Sequence, residues 1–467
     1  MSGFSRRGAC PALSAPMLTG DGLLVRLNPV AGGVSPKALI GLCESALRHG
    51  NGVVEVTARG SLQIRGLTAE SATLLAAEVD ALGIAVRTGV PVEAGPLAGL
   101  DPEEISDPTQ LAAHIREAID AENVGARLGP KVSVVVDGGG KLNMNTVQAD
   151  VRLTALAPSR WLLAVAGDAD TATPIGAVAE TDACDAVLAI LHAIADRGRE
   201  ARARDLDLSA LPSPLWGGSL RSNGVGVAAG AGGTPPPRLS TSAPRMSLAD
   251  PPHKGEGKVP LGALALANDG HALILGLPFG SMPAARLIEL TKIAEGFGAT
   301  EIRPALQRSL IRLGLAESSC APLLAKAASL GFITDPLDPR RMIAACTGAP
   351  ACASGRIAAR EVAEEIARDS GSALDPSVTL HISGCAKGCA HPARSALTLV
   401  GDEKGAGLVV DGTAKGLPAA YTPGYELARG FGRVAALLTK ERRPGETTAR
   451  CIARLGESRL AAAFQQG

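Results

Sequence analysis

The chain has 467 residues, with 46 Lys+Arg against 46 Asp+Glu and no formal net charge. That length implies two or three domains at about 150 residues each. The charge balance argues against a general nucleic-acid or anionic-membrane binder, because no bulk cationic field gathers phosphates. Apolar residues make up 46% and aromatics 2%. This excludes a wholly disordered chain and leaves Leu, Val, Ile and Ala to fill the core.

The N-terminal MSGFSRRGACPALSAP carries a basic pair with no apolar stretch behind it, so no secretory signal is read. No apolar run reaches the roughly 18 residues of a membrane helix. Nine cysteines are too sparse for a disulfide scaffold. A cytoplasmic protein is expected, with cysteines serving metal or redox chemistry.

The chain then repeats itself. The segment beginning at Leu39 aligns without a gap on the segment beginning at Leu287, an offset of 248, and each reads helix, strand, strand, helix. Leu39, Ile40, Leu42 and Ala46 recur as Leu287, Ile288, Leu290 and Ala294 on one helical face. Gly50 and Gly298 stand where helix C-caps belong. KVSVVVDGGGKLNMN from Lys131 matches SVTLHISGCAKGCAH from Ser377, and a strand pair and a helix follow each. The pattern predicts a duplicated α+β unit about a pseudo-twofold axis, whose interface is a natural ligand site.

Residues 205–260 separate the halves. Gly, Pro, Ser and Ala dominate them, so they are expected to form a linker or insertion without stable structure. Gly224 and Gly226 lie there with no strand before them and no helix after, which makes a poor phosphate loop.

Chemistry-bearing cysteines lie in the second half. Cys346 and Cys352 form a Cys-x5-Cys pair, and Cys385 and Cys389 a Cys-x3-Cys pair. Four thiolates in two pairs can hold a 4Fe-4S cluster, one sulfur to each iron. Zinc competes, although x5 spacing is awkward for it, and four buried small hydrophobes remain the plain alternative. The matching loop of the first half, 137–140, has Gly139 where Cys385 would fall, so one copy alone bears the site. Cys10, Cys43, Cys184, Cys320 and Cys451 have no paired spacing. His381 and His391 flank the second pair, as iron ligands or as hydrogen-bonded structural side chains.

VVEVTARGSLQIRG alternates. Val54, Val56, Ala58, Leu62 and Ile64 share one face; Glu55, Thr57, Arg59, Ser61, Gln63 and Arg65 share the other. The polar row is either solvated or a ligand-facing row in which arginine forks meet carboxylates.

TARGSLQIRG resembles the Thr-Thr-Arg-Gln-x-x-Gln-x-x-Gly strand of the sulfite and nitrite reductases. The two cysteine pairs resemble that superfamily's cluster motif, and GPLAGLDPEEI is similar to one of its loops. The N-terminal RRGACPALSAPMLTGDGLLVRL resembles the precorrin-3B synthases, a branch of the same superfamily. The resemblance implies ferredoxin-like half-domains at 18–90 and 261–336, α/β domains at 91–204 and 337–467, and a 4Fe-4S cluster on Cys346, Cys352, Cys385 and Cys389. Cys389 would be the ligand that bridges to a metallated tetrapyrrole.

For the synthase branch it implies oxygen-dependent hydroxylation of C-20 of precorrin-3A, with lactone formation, in cobalamin biosynthesis. Dioxygen is then a co-substrate. Arg59 and Lys131 become the catalytic candidates, and Arg59, Gln63, Arg65, Lys131 and Lys387 the substrate-binding ones. It also implies a mononuclear non-haem iron, for which no two-His-one-carboxylate pattern is present. No nucleotide or flavin fingerprint is present, so electrons must come from an external reductase or ferredoxin. The alternative is a sirohaem-dependent nitrite or sulfite reductase. Against it stand Ser133, where reductases carry a second lysine, and Val92, Glu93 and Ala94, where they carry an arginine just before the Gly-Pro loop.

Overall fold

The computed structural model describes residues 11–30, 32–208 and 259–465. Most of the expected insertion therefore lies outside the described residues. Its flanks do not: Leu206 and Leu208 pack against the core of the first half, and the Val259 N–H donates to Gln307 Oε1 at 2.9 Å.

The first half begins with β1 (Met17–Thr19), β2 (Gly22–Leu27), α1 (Pro36–His49), β3 (Val53–Val56), β4 (Leu62–Leu67) and α2 (Ala69–Ala81). Local chemistry sets the helix starts. Ser35 caps α1 by accepting the Ala38 N–H, with Pro36 in the first turn. Thr68 and Ser71 cap α2 reciprocally. Then follow β5 (Val92–Ala94), α3 (Thr109–Ala121), β6 (Val134–Asp137), β7 (Ala149–Ala157), β8 (Arg160–Gly167), β9 (Thr173–Ala179) and α4 (Glu180–Asp196).

The second half begins with β10 (Gly262–Ala265), β11 (His271–Gly276), β12 (Ser281–Pro283), α5 (Ala284–Gly296), β13 (Glu301–Ala305), β14 (Ser309–Leu315) and α6 (Glu317–Ser329). It continues through β15 (Ile343–Ala345), α7 (Ala359–Ser370), β16 (Leu380–Ser383), β17 (Ser395–Asp402), β18 (Gly405–Gly412), β19 (Ala420–Thr422), α8 (Leu427–Glu441) and α9 (Thr448–Gln465).

These strands make four sheets, ordered β1-β2-β4-β3-β12, β10-β11-β14-β13, β5-β6-β7-β8-β9 and β15-β16-β17-β18-β19. The last two share one plan. Their first three strands are parallel and their last two antiparallel. The architecture is α+β and duplicated, as the repeat predicts.

The halves also exchange contacts. Met282 of β12 pairs with Val54 of β3, and Val34 pairs with Ile302 of β13. The 248-residue offset converts one contact into the other, so a pseudo-twofold axis runs between them. Around it one core joins α1, α2, α5 and α6 to the β1-β2-β4-β3-β12 and β10-β11-β14-β13 sheets, with Leu39, Leu42, Ala46, Leu287, Leu290 and Ala294 all buried. Gly298 has φ of +95°, the left-handed cap a glycine supplies, whereas Gly50 caps α1 at φ −112°. Among the described residues no helix is long and apolar enough to cross a membrane.

Residues 53–65 form the two strands that the repeat predicts, paired as a hairpin with Glu55 directly opposite Gln63; the reading of one continuous alternating face does not hold. The turn between the strands carries Gly60 at φ +79°. Arg59 sits in that turn and does not share a strand face with Gln63 and Arg65.

Candidate functional site

Parallel strands deliver both cysteine pairs. Cys346 directly follows β15, and Cys385 lies two residues after β16, its neighbour in the sheet. Both loops thus emerge at the carboxyl ends of adjacent parallel strands, where open α/β sheets place ligands. The loops fold tightly on glycine. A Cβ on Gly384 would lie 3.0 Å from Gly348 Cα, 3.3 Å from Gly355 Cα and 3.4 Å from Cys346 Sγ. The Gly384 N–H donates to Cys346 Sγ at 3.1 Å. Lys387 Nζ donates to Ser354 Oγ at 2.7 Å and ties one loop to the other.

Cys346 and Cys389 feel the charge of the other thiols. Burial pushes the Cys346 thiol up, and the nearby Cys352 and Cys385 push it further, while backbone N–H groups of Gly384 and Gly348 pull it down. Partial desolvation raises Cys389, and Cys346, Cys385 and Cys352 add to the rise. Like charges repel unless a cationic centre sits among them. Among the described residues, no three His, Cys, Asp or Glu side chains close on a single metal ion. Cys43, Cys184, Cys320 and Cys451 are buried elsewhere, and Cys43 is pushed up to about 12 by burial. Cys10 lies outside the described residues.

His381 is fully buried and neither ring nitrogen has a partner. Burial, then His391 and Arg308, lowers it to about 4. It is therefore a neutral ring, packed 5.8 Å from His391 and behind Gly388.

The first half carries carboxylates where the second carries cysteines. The loop after β5 and the loop after β6 meet at a bridge between Glu104 and Gly139. Asp101 accepts the Lys141 N–H at 2.6 Å and Asp137 the Met144 N–H at 3.0 Å. Burial, joined by Asp107, Asp101 and Asp137, raises the Glu104 carboxyl from 4.5 to about 7. The folded chain therefore holds that proton more tightly than the unfolded chain, and stability falls as pH rises through this window. Urea melts across it are expected to show a declining midpoint for the native chain and a flatter one for Glu104→Gln. Parallel pH profiles for the two proteins would refute the assignment.

Glu55 and Arg65 meet protein groups of the other half, and Gln63 lies between them. Glu55 pairs with Arg360 of α7 at 2.6 Å. Gln63 donates to Glu55 and accepts from Arg26 Nη2 at 3.2 Å. The Arg65 guanidinium spans Asp21, Thr347 Oγ1 and the Ala351 carbonyl. All three hairpin side chains are buried.

Arg59 and Lys131 come to a second place. Arg59 is exposed, and its Nη2 donates to the Gln148 carbonyl at 3.1 Å, just before β7. Lys131 is exposed in the turn before β6, at the same end of the sheet, since β6 and β7 run parallel. Ser133 faces inward and its N–H donates to Asp150, which Arg202 holds. Glu93 of β5 has one buried oxygen without a partner. Burial raises its carboxyl, and Arg59 and then Arg87 oppose the rise. Arg116 of α3 reaches the Val92 carbonyl at 3.4 Å and lowers Arg87 by repulsion, after burial. Arg59 and Arg87 thus bear on one carboxylate, with Arg116 beside Arg87 and Lys131 at the same end of the sheet, a group we call the cationic corner. Sequence reasoning missed Arg87 and Arg116, which lie in a loop and a helix with no shared spacing.

The family model for the nitrite/sulfite reductase ferredoxin-like half domain matches residues 15–82. A precorrin-3B synthase from Sinorhizobium sp is 39% identical over 465 residues, covering 99% of this chain and 95% of its own. A ferredoxin–nitrite reductase from Synechococcus elongatus is 24% identical, over 81% of this chain and 76% of its own length. Among solved structures, the Mycobacterium tuberculosis NirA protein superposes with a TM-score of 0.69 at 20% identity, covering 94% of this chain and 84% of that one. That likeness is one of fold.

Proposed function

The chain belongs to the precorrin-3B synthase family, within the nitrite/sulfite reductase superfamily, and from that premise we propose how its residues serve the synthase reaction. It is an oxidoreductase of cobalamin biosynthesis. The observation that carries the reading is the likeness to a precorrin-3B synthase over 99% of the chain. The reaction is a monooxygenation of precorrin-3A. One atom of dioxygen becomes the C-20 hydroxyl, a ring acetate closes a lactone, and the other atom leaves as water with two electrons and two protons.

Cys346, Cys352, Cys385 and Cys389 would hold a 4Fe-4S cluster. The donor set fits: four thiols on two adjacent loops, close enough that Cys346 and Cys389 feel the others, over a glycine floor that a Cβ would fill. Such a cluster supplies electrons one at a time when bound. The chain's own part is to hold the thiolates, exclude bulk and admit an external ferredoxin or reductase. No residues are assigned to a mononuclear iron.

The cationic corner would orient the substrate. Precorrin-3A is a polycarboxylate, and Arg59, Arg87, Arg116 and Lys131 offer it guanidinium and ammonium donors. Glu93 offsets part of their charge, which disfavours a compact inorganic anion. Peripheral carboxylates of a large ring can still reach the outer donors. Fixing the ring lowers the entropy left to lose in the transition state.

Anaerobically purified protein, given precorrin-3A, a reductant and then air, is expected to form a product heavier by one oxygen atom. Robust reduction of nitrite or sulfite instead, with no change to precorrin-3A, overturns the reading. Arg59→Ala is expected to raise KM by roughly 10- to 150-fold, from the loss of one charge-assisted contact of about 1.5–3 kcal/mol. Its melting temperature should barely move, because surface substitutions shift stability little. Parallel losses of melting temperature and turnover would assign Arg59 a structural role.

A further inference from the structure

We propose that Arg65, braced by Asp21, is a positioning residue for the thiol centre: from the first half of the molecule it clamps the Cys346–Cys352 loop and lends that loop a positive charge. The inference rests on reading the four cysteines as cluster ligands.

The contacts are specific. Arg65 Nη1 donates to Thr347 Oγ1 at 3.0 Å and Nη2 to the Ala351 carbonyl at 2.7 Å. Thr347 follows Cys346 directly, and Ala351 precedes Cys352. One guanidinium therefore holds both ends of the segment that carries the first thiol pair. On its other side, Nε and Nη2 reach the Asp21 carboxylate at 3.2 and 2.9 Å. Asp21 is itself held by Thr19 Oγ1 at 2.8 Å and Asn51 Nδ2 at 3.2 Å. Only a planar fork with five donors can serve three partners in this way.

The surroundings agree. Arg65 is 6% exposed, so its charge is weakly screened. Burial lowers the guanidinium, but Asp21, Glu55 and Cys352 raise it on balance. Cys352 thus lies within reach of the Arg65 charge. The turn that carries Asp21 is pressed on the same loop: a Cβ on Gly20 would lie 2.4 Å from the Ala353 nitrogen and 2.8 Å from the Cys352 carbonyl carbon. The β1–β2 turn and Arg65 together close one side of the loop. A cation held there offsets the negative charge of coordinated thiolates. It favours the reduced state, whose charge is more negative, and so raises the reduction potential.

Three variants separate clamp from charge. Arg65→Met removes both and should lower iron and acid-labile sulfide per chain severalfold, and shift the midpoint potential of the remaining cluster downward. Arg65→Lys keeps the charge and loses the fork. It should bind less cluster, with a potential near that of the native protein. Asp21→Asn weakens the brace and should fall between native protein and Arg65→Met in cluster content. Tryptic cleavage after Arg356, read on cluster-free protein whose circular dichroism is native, should be faster in Arg65→Met and Arg65→Lys.

Full cluster content, unchanged potential and unchanged cleavage in Arg65→Met would overturn the proposal. Absence of iron and sulfide from the native protein would instead overturn the cluster reading. The cleavage rates then decide the clamp alone.

Discussion

Replacing Cys385 by Ser is expected to leave purified protein without a full complement of iron and acid-labile sulfide, and without the visible absorbance of a 4Fe-4S centre. A serine hydroxyl does not ionise near neutral pH, so one iron loses its anionic ligand. The same outcome is expected at Cys346, Cys352 and Cys389, because in the proposed cluster each thiol would supply a different iron. The geometry makes the four interdependent. Cys346 and Cys389 both sense the charge of Cys352 and Cys385. Burial and mutual repulsion both disfavour four thiolates around an empty centre. Losing one ligand therefore unsettles the other three. Cys184→Ala is the control. Cys184 lies buried on α4 in the core of the first half and should keep full cluster content while losing some stability. If Cys385→Ser retains native iron and sulfide, the ligand assignment fails.

The repeat made the fold legible. Two segments at one offset predict two similar units, and the sheets β5-β6-β7-β8-β9 and β15-β16-β17-β18-β19 are those units. The cysteine loops could be placed because each follows a short apolar run, and the run before Cys385 ends in glycine as its first-half match does. The hairpin was harder to read. Residues 57–61 keep Val56 and Leu62 in the same phase, so alternation runs through the turn as though the strand continued. Gly60 was the available signal, since a turn with positive φ needs it.

The role of the polar row was not legible at all. Glu55, Gln63 and Arg65 would present the same pattern to water, to a ligand or to another domain. What decides is Arg360 and the Thr347–Ala351 segment, hundreds of residues away in sequence. The same limit hid Arg87 and Arg116. Lys387, a substrate-binding candidate in the sequence, joins the two cysteine loops through Ser354, a contact that its spacing does not announce.

No product is expected when oxygen is withheld, and labelled dioxygen should place label in the new C-20 hydroxyl. The premise is the synthase reading, and the structure supplies the physical reason to separate it from a reductase. A small anion such as nitrite or sulfite needs several cations converging on one point. Here Ser133 is buried with its N–H donating to Asp150, and Glu93 sets a carboxylate with a buried, unpartnered oxygen near Arg59 and Arg87. Arg59 and Arg87 spend part of their field on that carboxylate. The corner that remains suits carboxylates spread around a large ring. Electrons must still arrive singly, so omitting the donor should abolish turnover as fully as omitting oxygen. Glu93→Arg is the complementary variant. It should improve retention of a small anion and impair conversion of precorrin-3A, with cluster content unchanged because Glu93 lies in β5, in a different sheet from the strands that carry the cysteine loops. Label arriving in the hydroxyl only from water, or product formed at the full rate without oxygen, would sink the oxygenase reading and leave the fold and the cysteine assignment standing.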